Sequence, residues 1–517
     1  MYAPDDPGTF RVDQEKMMRV LMMIGLICLA SLTGLASSET ASTTTTSEVR
    51  ESVVKIFATY RGPDFARPWT KQAPQELSGT GFVIEGNRIL TNAHVVEQAT
   101  RIYVQPPNSA DKLRAEVIGI SLEMDLAVIQ LIKDGERDDF HANHPVLELS
   151  DTLPAIGSTV QAIGYPMGGE QVSITEGVVS RIEYTEYNME AQGLRIQVDA
   201  ALNHGNSGGP VVLDGKVCGV VFSGVEYAEN IGYVIPAEEV HLFLSDISDG
   251  EYNGPERLYD ARFQTCENDA LRDFLGLSKD QTGIVYSRPI EDSEQPLEEW
   301  DVLDMVGDYD IDNAGMVTRD DNLRLHWRYF MRELSDNGSV PVKVIRDGES
   351  VGINLKVTNK RDELVPFIGN DYPEYFICGP MIFTPVRREH FYNLYLGYGI
   401  VDGSPIGLHI NDERETPGQE YVVLAATFLP HAITKGYEVF GNPTLKSVNG
   451  IEITSVSHLV EVLRDNEEET LQFKFFDRSQ ESLIFNADEL MDSTEEVLED
   501  NSIRRQGSDR FMDIWEN

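Results

Sequence analysis

Gly205-Asn206-Ser207-Gly208-Gly209-Pro210 is a poor sequence for the interior of a helix or strand, because glycine loses more backbone freedom on folding than any other residue. It suits a turn that stands a hydroxyl clear of the chain and lets backbone N–H groups converge on one point. An activated nucleophile with an oxyanion hole needs that geometry. Upstream, Thr91-Asn92-Ala93-His94 offers an imidazole and Glu123-Met124-Asp125-Leu126 offers a carboxylate. A serine hydroxyl attacks only when a neighbouring base takes its proton, and that base needs a carboxylate to fix its tautomer. The candidate triad is therefore His94, Asp125 and Ser207, and the turn expected to hold the oxyanion is Gly205, Asn206 and Ser207.

The chain around this turn has 517 residues, more than one hydrophobic core supports. Its 42 Lys and Arg face 86 Asp and Glu, a net charge of −44. Such a surface repels nucleic acid and anionic lipid, which excludes both as ligands. No metal or cofactor is expected. Asp308, Asp310 and Asp312 imitate the opening of a calcium loop, but Asn313 and Arg319 replace its turn glycine and its bidentate glutamate. Cys218, Cys266 and Cys378 are widely spaced, giving neither a disulfide framework nor a zinc spacing.

Residues 1–38 read as a signal peptide: Lys16 and Arg19 precede the apolar run from Val20 to Ala30, and small residues follow through Ser38. The acidic stretch before Lys16 suits a signal poorly, and a start at Met17 or Met18 removes it. The rival reading is an uncleaved membrane anchor over residues 20–36. The expected location is outside the cytoplasm, periplasmic or secreted. Residues 39–49 form a Ser/Thr-rich spacer.

From 50 to 248, short β-rich runs alternate with turn signals, for example Gly81-Phe82-Val83-Ile84 and Ala127-Val128-Ile129-Gln130-Leu131. This argues for an all-β barrel or sandwich, with one terminal helix from Ala237. Residues 255–360 and 365–487 each run strand, turn, short helix and closing strand. They read as two diverged copies of one α+β module. Residues 488–517 read as an acidic, polar tail with at most one amphipathic helix.

Ser78-Gly79-Thr80-Gly81-Phe82-Val83-Ile84 and Ile89-Leu90-Thr91-Asn92-Ala93-His94-Val95-Val96 resemble the start of the HtrA/Deg serine proteases. Asp125-Leu126-Ala127-Val128-Ile129, Gly164-Tyr165-Pro166, the Ser207 turn and Asn230-Ile231-Gly232-Tyr233-Val234-Ile235-Pro236 follow in the family's order. The resemblance implies a mainly β, chymotrypsin-like pair of six-stranded barrels followed by two PDZ-like domains, the second of plant Deg type. It further implies an ATP-independent endopeptidase for unfolded or damaged proteins, a homo-oligomer built from trimers, and peptide ligands for the PDZ-like modules. The residue six before the nucleophile lies at the base of the S1 pocket in this fold. Here it is Ala201, which offers no counter-ion to a basic P1 side chain. Leu202 and Phe222-Ser223-Gly224 complete an apolar pocket. In the first module Phe274-Leu275-Gly276-Leu277 looks like a carboxylate loop but follows a helix instead of preceding it. The equivalent Tyr259-Asp260-Ala261 carries an acid that repels a C-terminal carboxylate. Two other functions share these features: a chaperone or scaffold that cuts little, and a processing protease dedicated to one partner in envelope stress signalling.

Overall fold

The computed structural model describes residues 46–187, 191–203, 205–224, 232–259, 261–289, 293–319, 323–369, 371–390, 403–425, 427–439, 441–478 and 480–517. The expected leader, most of the spacer, Asn230, Ile231 and Asp260 lie outside the described residues.

Six strands close the first barrel: β1 (Val53–Tyr60), β2 (Gln75–Ile84), β3 (Arg88–Thr91), β4 (Ala99–Gln105), β5 (Leu113–Ser121) and β6 (Leu126–Leu131). They run in the order β1-β2-β3-β6-β5-β4, and β1 pairs with both β2 and β4 to complete the ring. The period of two along a strand explains the fill. Val54 and Ile56 join Val83, Ile89, Val104 and Ile129 in the barrel core, while Val53 belongs to a second cluster with Phe82, Leu90, Tyr165 and Val220. That second cluster draws on both barrels, so it fastens one to the other.

The second barrel repeats the plan with β7 (Thr159–Gly164), β8 (Ser173–Tyr187), β9 (Ala191–Asp199), β10 (Pro210–Leu213), β11 (Lys216–Gly224) and β12 (Gly232–Pro236), in the order β10-β11-β12-β9-β8-β7. The structure is thus mainly β with two closed six-stranded barrels, as the strand pattern and the resemblance imply. A helix over Asp134–Asn143 was not expected; it buries only Phe140, so its sequence shows no apolar stripe.

Residues Ala237–Asp246 form the terminal helix, with Glu238 and Glu239 in its first turn, where carboxylates favour the helix dipole. Beyond it, strand Val302–Val306 pairs with Tyr309–Asp310 and with Ser339–Arg346, which pairs with Glu349–Lys356. Helix Arg328–Glu333 lies between in sequence. The next module repeats this pairing. Leu445–Val448 meets Ile451–Glu452 and Thr470–Phe475, the latter meets Leu483–Asn486, and helix Val456–Arg464 intervenes. Both central strands even carry a register shift, between Leu303 and Met305 and between Leu445 and Ser447. Asp312 serves as a turn residue: its Oδ1 accepts from the N–H groups of Ala314 and Met316.

The expected acidic tail is corrected. Residues Ala487–Asp500 and Asp509–Trp515 are helices, and Leu490, Phe511, Met512, Ile514 and Trp515 pack into the core of Phe376, Phe383, Leu471 and Phe473. Charge on the outer helix faces hid the apolar faces beneath. Phe511 is fully buried, so Phe511→Ala is expected to destabilise this module by about 3–5 kcal/mol. Denaturant unfolding checks this; a change under about 0.5 kcal/mol, usual for a surface site, would mean a free tail.

Candidate active site

His94 and Asp125 come from the first barrel and Ser207 from the second. Threonine 91 ends β3, and the chain turns at once into a short helix, Ala93–Val96, that carries His94. Asp125 immediately precedes β6 and is buried at φ 55°, a left-handed conformation that aspartate tolerates better than most residues. Asn92 Nδ2 donates to the Asp125 carbonyl at 2.9 Å and holds that bend. The carboxylate then accepts twice from one residue: the His94 main-chain N–H reaches Oδ1 at 2.9 Å, and Nδ1 lies 2.7 Å from Oδ2. Both the position and the orientation of the ring are fixed.

The His94 side chain keeps 42% of its exposure. Surrounding protein disfavours the imidazolium. Asp125, by charge and by hydrogen bond, and then Glu97 outweigh that, so the His94 pKa stands above its ordinary 6.5. Burial, and then the Asp125 charge, push the Glu97 carboxyl up in turn. A protonated imidazole cannot accept a proton from serine, so kcat/KM is expected to fall on the acid side with an apparent pKa above 6.5. Glu97→Gln removes one negative neighbour and should move that limb to lower pH while leaving the plateau in place. A pH profile of kcat/KM with an unmoved limb would remove Glu97 from this account.

Ser207 is half-buried between β9 and β10, in a turn closed by the Asn206 N–H on the Asn203 carbonyl at 3.0 Å. Gly205 takes φ +98°, and a Cβ there would lie 2.5 Å from the Tyr165 carbonyl oxygen. Gly208 takes φ +84°, with its Cβ position 2.2 Å from the Thr80 carbonyl oxygen. Both positions require glycine on conformation and on space. Asn206 is corrected as an oxyanion donor, since its N–H closes the turn. The N–H groups of Gly205 and Ser207 have no partner among the described residues.

Thr80 is the residue that sequence reasoning quoted without a role. It lies fully buried on β2, and its N–H donates to the Ser207 carbonyl at 2.9 Å. Its Oγ1 donates to the Gly205 carbonyl at 2.7 Å and accepts from the Tyr165 N–H at 2.9 Å. One side chain of the first barrel thereby holds the turn of the second. Only its place in the motif Ser78-Gly79-Thr80-Gly81 could have signalled it.

The Ser207 hydroxyl donates to the Phe222 carbonyl at 3.3 Å and has no hydrogen bond to His94 among the described contacts. Of the pocket candidates, Ala201 is exposed, and Leu202 is half-buried against Gly232, where a Cβ would meet it at 2.4 Å. Phe222, Ser223 and Gly224 lie on β11, with the Phe222 ring 5.0 Å from the buried Arg195 guanidinium. A hydroxyl, a carboxylate-oriented imidazole and two N–H groups without a partner among the described residues are the components of acyl transfer. Among the described residues no group of three His, Cys, Asp or Glu side chains is placed to hold a metal.

Comparisons with known proteins agree with this geometry. Residues 79–220 match the family model of the trypsin-like peptidase domain, and residues 367–510 match that of the PDZ domain. Protease Do-like 4, mitochondrial, from Arabidopsis thaliana is 32% identical over 484 residues, covering 91% of this chain and 88% of its own. Protease Do-like 2, chloroplastic, from the same plant is 33% identical, covering 82% and 70%. The solved HtrA-type protease AlgW with decapeptide is 23% identical, covers 60% of this chain and 96% of its own, and gives a TM-score of 0.45. A trypsin-like domain, a PDZ domain and about one-third identity over nearly full length settle the matter: this chain belongs to the HtrA/Deg family of serine proteases and is a serine endopeptidase.

Proposed function

We propose that the enzyme degrades unfolded or damaged proteins without ATP, through an acyl-enzyme on Ser207. The observations that support the reading are the doubly anchored His94–Asp125 pair and a serine turn whose Gly205 and Ser207 N–H groups have no partner among the described residues. For attack the Ser207 hydroxyl leaves the Phe222 carbonyl and gives its proton to His94 Nε2 as Oγ adds to the substrate carbonyl. The two N–H groups then hold the oxyanion, and each such donor contributes roughly 3–4 kcal/mol. Return of the proton to the leaving amine completes acylation, and water repeats the sequence to release the acid. Ala201, Leu202 and Phe222-Ser223-Gly224 line a pocket for non-basic P1 side chains. One methylene there is worth about 1–3 kcal/mol, which suits a loose preference.

The family resemblance supports assembly from trimers, and the PDZ match supports capture of extended peptides on a sheet edge. The export reading rests on residues 1–38, while the relatives named mitochondrial and chloroplastic support an organelle instead. N-terminal sequencing of the mature protein from fractionated cells distinguishes these. No helix among the described residues is long and apolar enough to cross a membrane, and residues 20–36 lie outside them.

Cleavage rates on one substrate protein, native and chemically unfolded, test the function. The unfolded form is expected to be cut at least about tenfold faster, because an extended backbone alone reaches the cleft. Equal rates would reject a degradative role. Binding of unfolded chains with negligible cleavage would favour the scaffold.

A further inference from the structure

Each polar group of Thr80 is engaged at the active site, and together they reach both of its halves. Toward the nucleophile, the N–H donates to the Ser207 carbonyl at 2.9 Å and Oγ1 donates to the Gly205 carbonyl at 2.7 Å. The same Oγ1 accepts from the Tyr165 N–H at 2.9 Å. Toward the base, the Thr80 carbonyl accepts from Thr91 Oγ1 at 2.7 Å, and Thr91 leads directly into Asn92, which holds the Asp125 bend. Thr80 and Thr91 are both fully buried. The flanking glycines make room for this close approach. A Cβ on Gly79 would lie 2.7 Å from Val95, on the helix that carries His94, and one on Gly81 would lie 2.8 Å from Ile56.

We propose that the Thr80 hydroxyl is a positioning group for the oxyanion hole, acting through Gly205. The inference rests on the reading of Ser207 as nucleophile with the Gly205 and Ser207 N–H groups as oxyanion donors. Such donors help only if they are aimed before the charge develops. Glycine imposes no aim of its own, so the surroundings must supply it. The Gly205–Asn206 peptide is gripped on both sides: Thr80 Oγ1 holds its carbonyl, and its N–H donates to the Asn203 carbonyl at 3.0 Å. What remains is rotation within Gly205 itself. There the backbone of Tyr165 and Met167 closes in, at 2.5 and 2.7 Å from a Cβ position, and the same hydroxyl fixes Tyr165. Without the hydroxyl, a buried carbonyl and a buried N–H both lose this partner, which is costly. The turn then rotates to recover hydrogen bonds, and the Gly205 N–H loses its aim. The His94–Asp125 pair makes no hydrogen bond to this hydroxyl and stays as it is.

The test uses the full chain, a peptide substrate and a trifluoromethyl ketone of the same peptide sequence. Ser207 Oγ adds to that ketone and leaves an anionic hemiketal, so its affinity reports on the oxyanion hole. Rates are read per active site, counted by labelling Ser207 to completion with a fluorophosphonate. Thr80→Val keeps the shape and removes the hydroxyl. It is expected to lower kcat per site by about 100-fold, the scale of one lost oxyanion donor. KM should stay within about twofold, affinity for the ketone should fall by the same factor as kcat, and the acid limb of the pH profile should not move. Thr80→Ser keeps the hydroxyl and should run within about threefold of the wild type. Thr80→Cys, a weak donor, should lose about tenfold and carries the test if the valine variant does not fold. An unchanged kcat per site in the valine or cysteine variant overturns the inference. So does a loss that serine fails to restore, that appears only as fewer active sites, or that moves the acid limb. Ser207→Ala separates the two levels. If it still turns over, the nucleophile reading fails and the inference with it. If it is inactive while Thr80→Val runs at the wild-type rate, the inference alone fails.

Discussion

Ser207→Ala is expected to lower hydrolysis of an unfolded protein by on the order of 10⁵–10⁶-fold, the scale seen when a serine protease loses its nucleophile. The variant should stay folded. The bonds that hold the turn do not involve the Ser207 side chain: Thr80 N–H to the Ser207 carbonyl, Gly208 N–H to the Val221 carbonyl, and Thr80 Oγ1 to the Gly205 carbonyl. The side chain itself gives up only the hydroxyl bond to Phe222. Rates with a denatured substrate, beside a melting curve of each protein, check both halves. Turnover that survives the substitution would refute Ser207 as nucleophile.

Asp125→Asn should lower kcat by about 10⁴-fold with little change in stability. Asparagine tolerates the left-handed backbone of this position, so φ 55° costs it nothing new. The loss follows from counting acceptors. The carboxylate serves the His94 main-chain N–H with one oxygen and Nδ1 with the other. An amide has one oxygen, which the main-chain N–H claims, and its NH₂ then faces Nδ1. Nδ1 must become the acceptor, the proton moves to Nε2, and the nitrogen facing Ser207 can no longer act as a base. Losing the negative charge also lowers the imidazole pKa, so the acid limb of the profile should move down together with kcat. A drop in kcat with an unshifted limb would indicate distortion of the fold instead of a wrong tautomer.

The His94–Asp125 pair and the serine turn were legible because the chemistry proposed for them dictates residue types at short range: a serine between glycines, a histidine just past a strand, an aspartate just before one. The barrels were legible because short alternating runs leave few other ways to bury an apolar face. Asn206 misled because the turn was read as a list of residues, whereas turn closure consumes its N–H. Thr80 and Ser207 are 127 residues apart in the sequence, and Glu239 and Arg332 are 93 apart. Such pairs depend on where barrels and modules meet, which no local pattern records. The C-terminal helices are a different case. Leu490, Val497 and Phe511 mark apolar faces at helical spacing, but the many surrounding acids outweighed them.

The first module does not merely abut the second barrel. Val179, Leu194, Ile196 and Val198 of the barrel and Trp327, Tyr329, Phe330 and Val340 of the module belong to one continuous buried cluster. The gap drawn in the sequence at residues 249–254 therefore divides the chain without dividing a core. A protein cut there would expose apolar surface on both pieces and strand Glu239 without Arg332. The indivisible unit of this enzyme is barrel, barrel and module together.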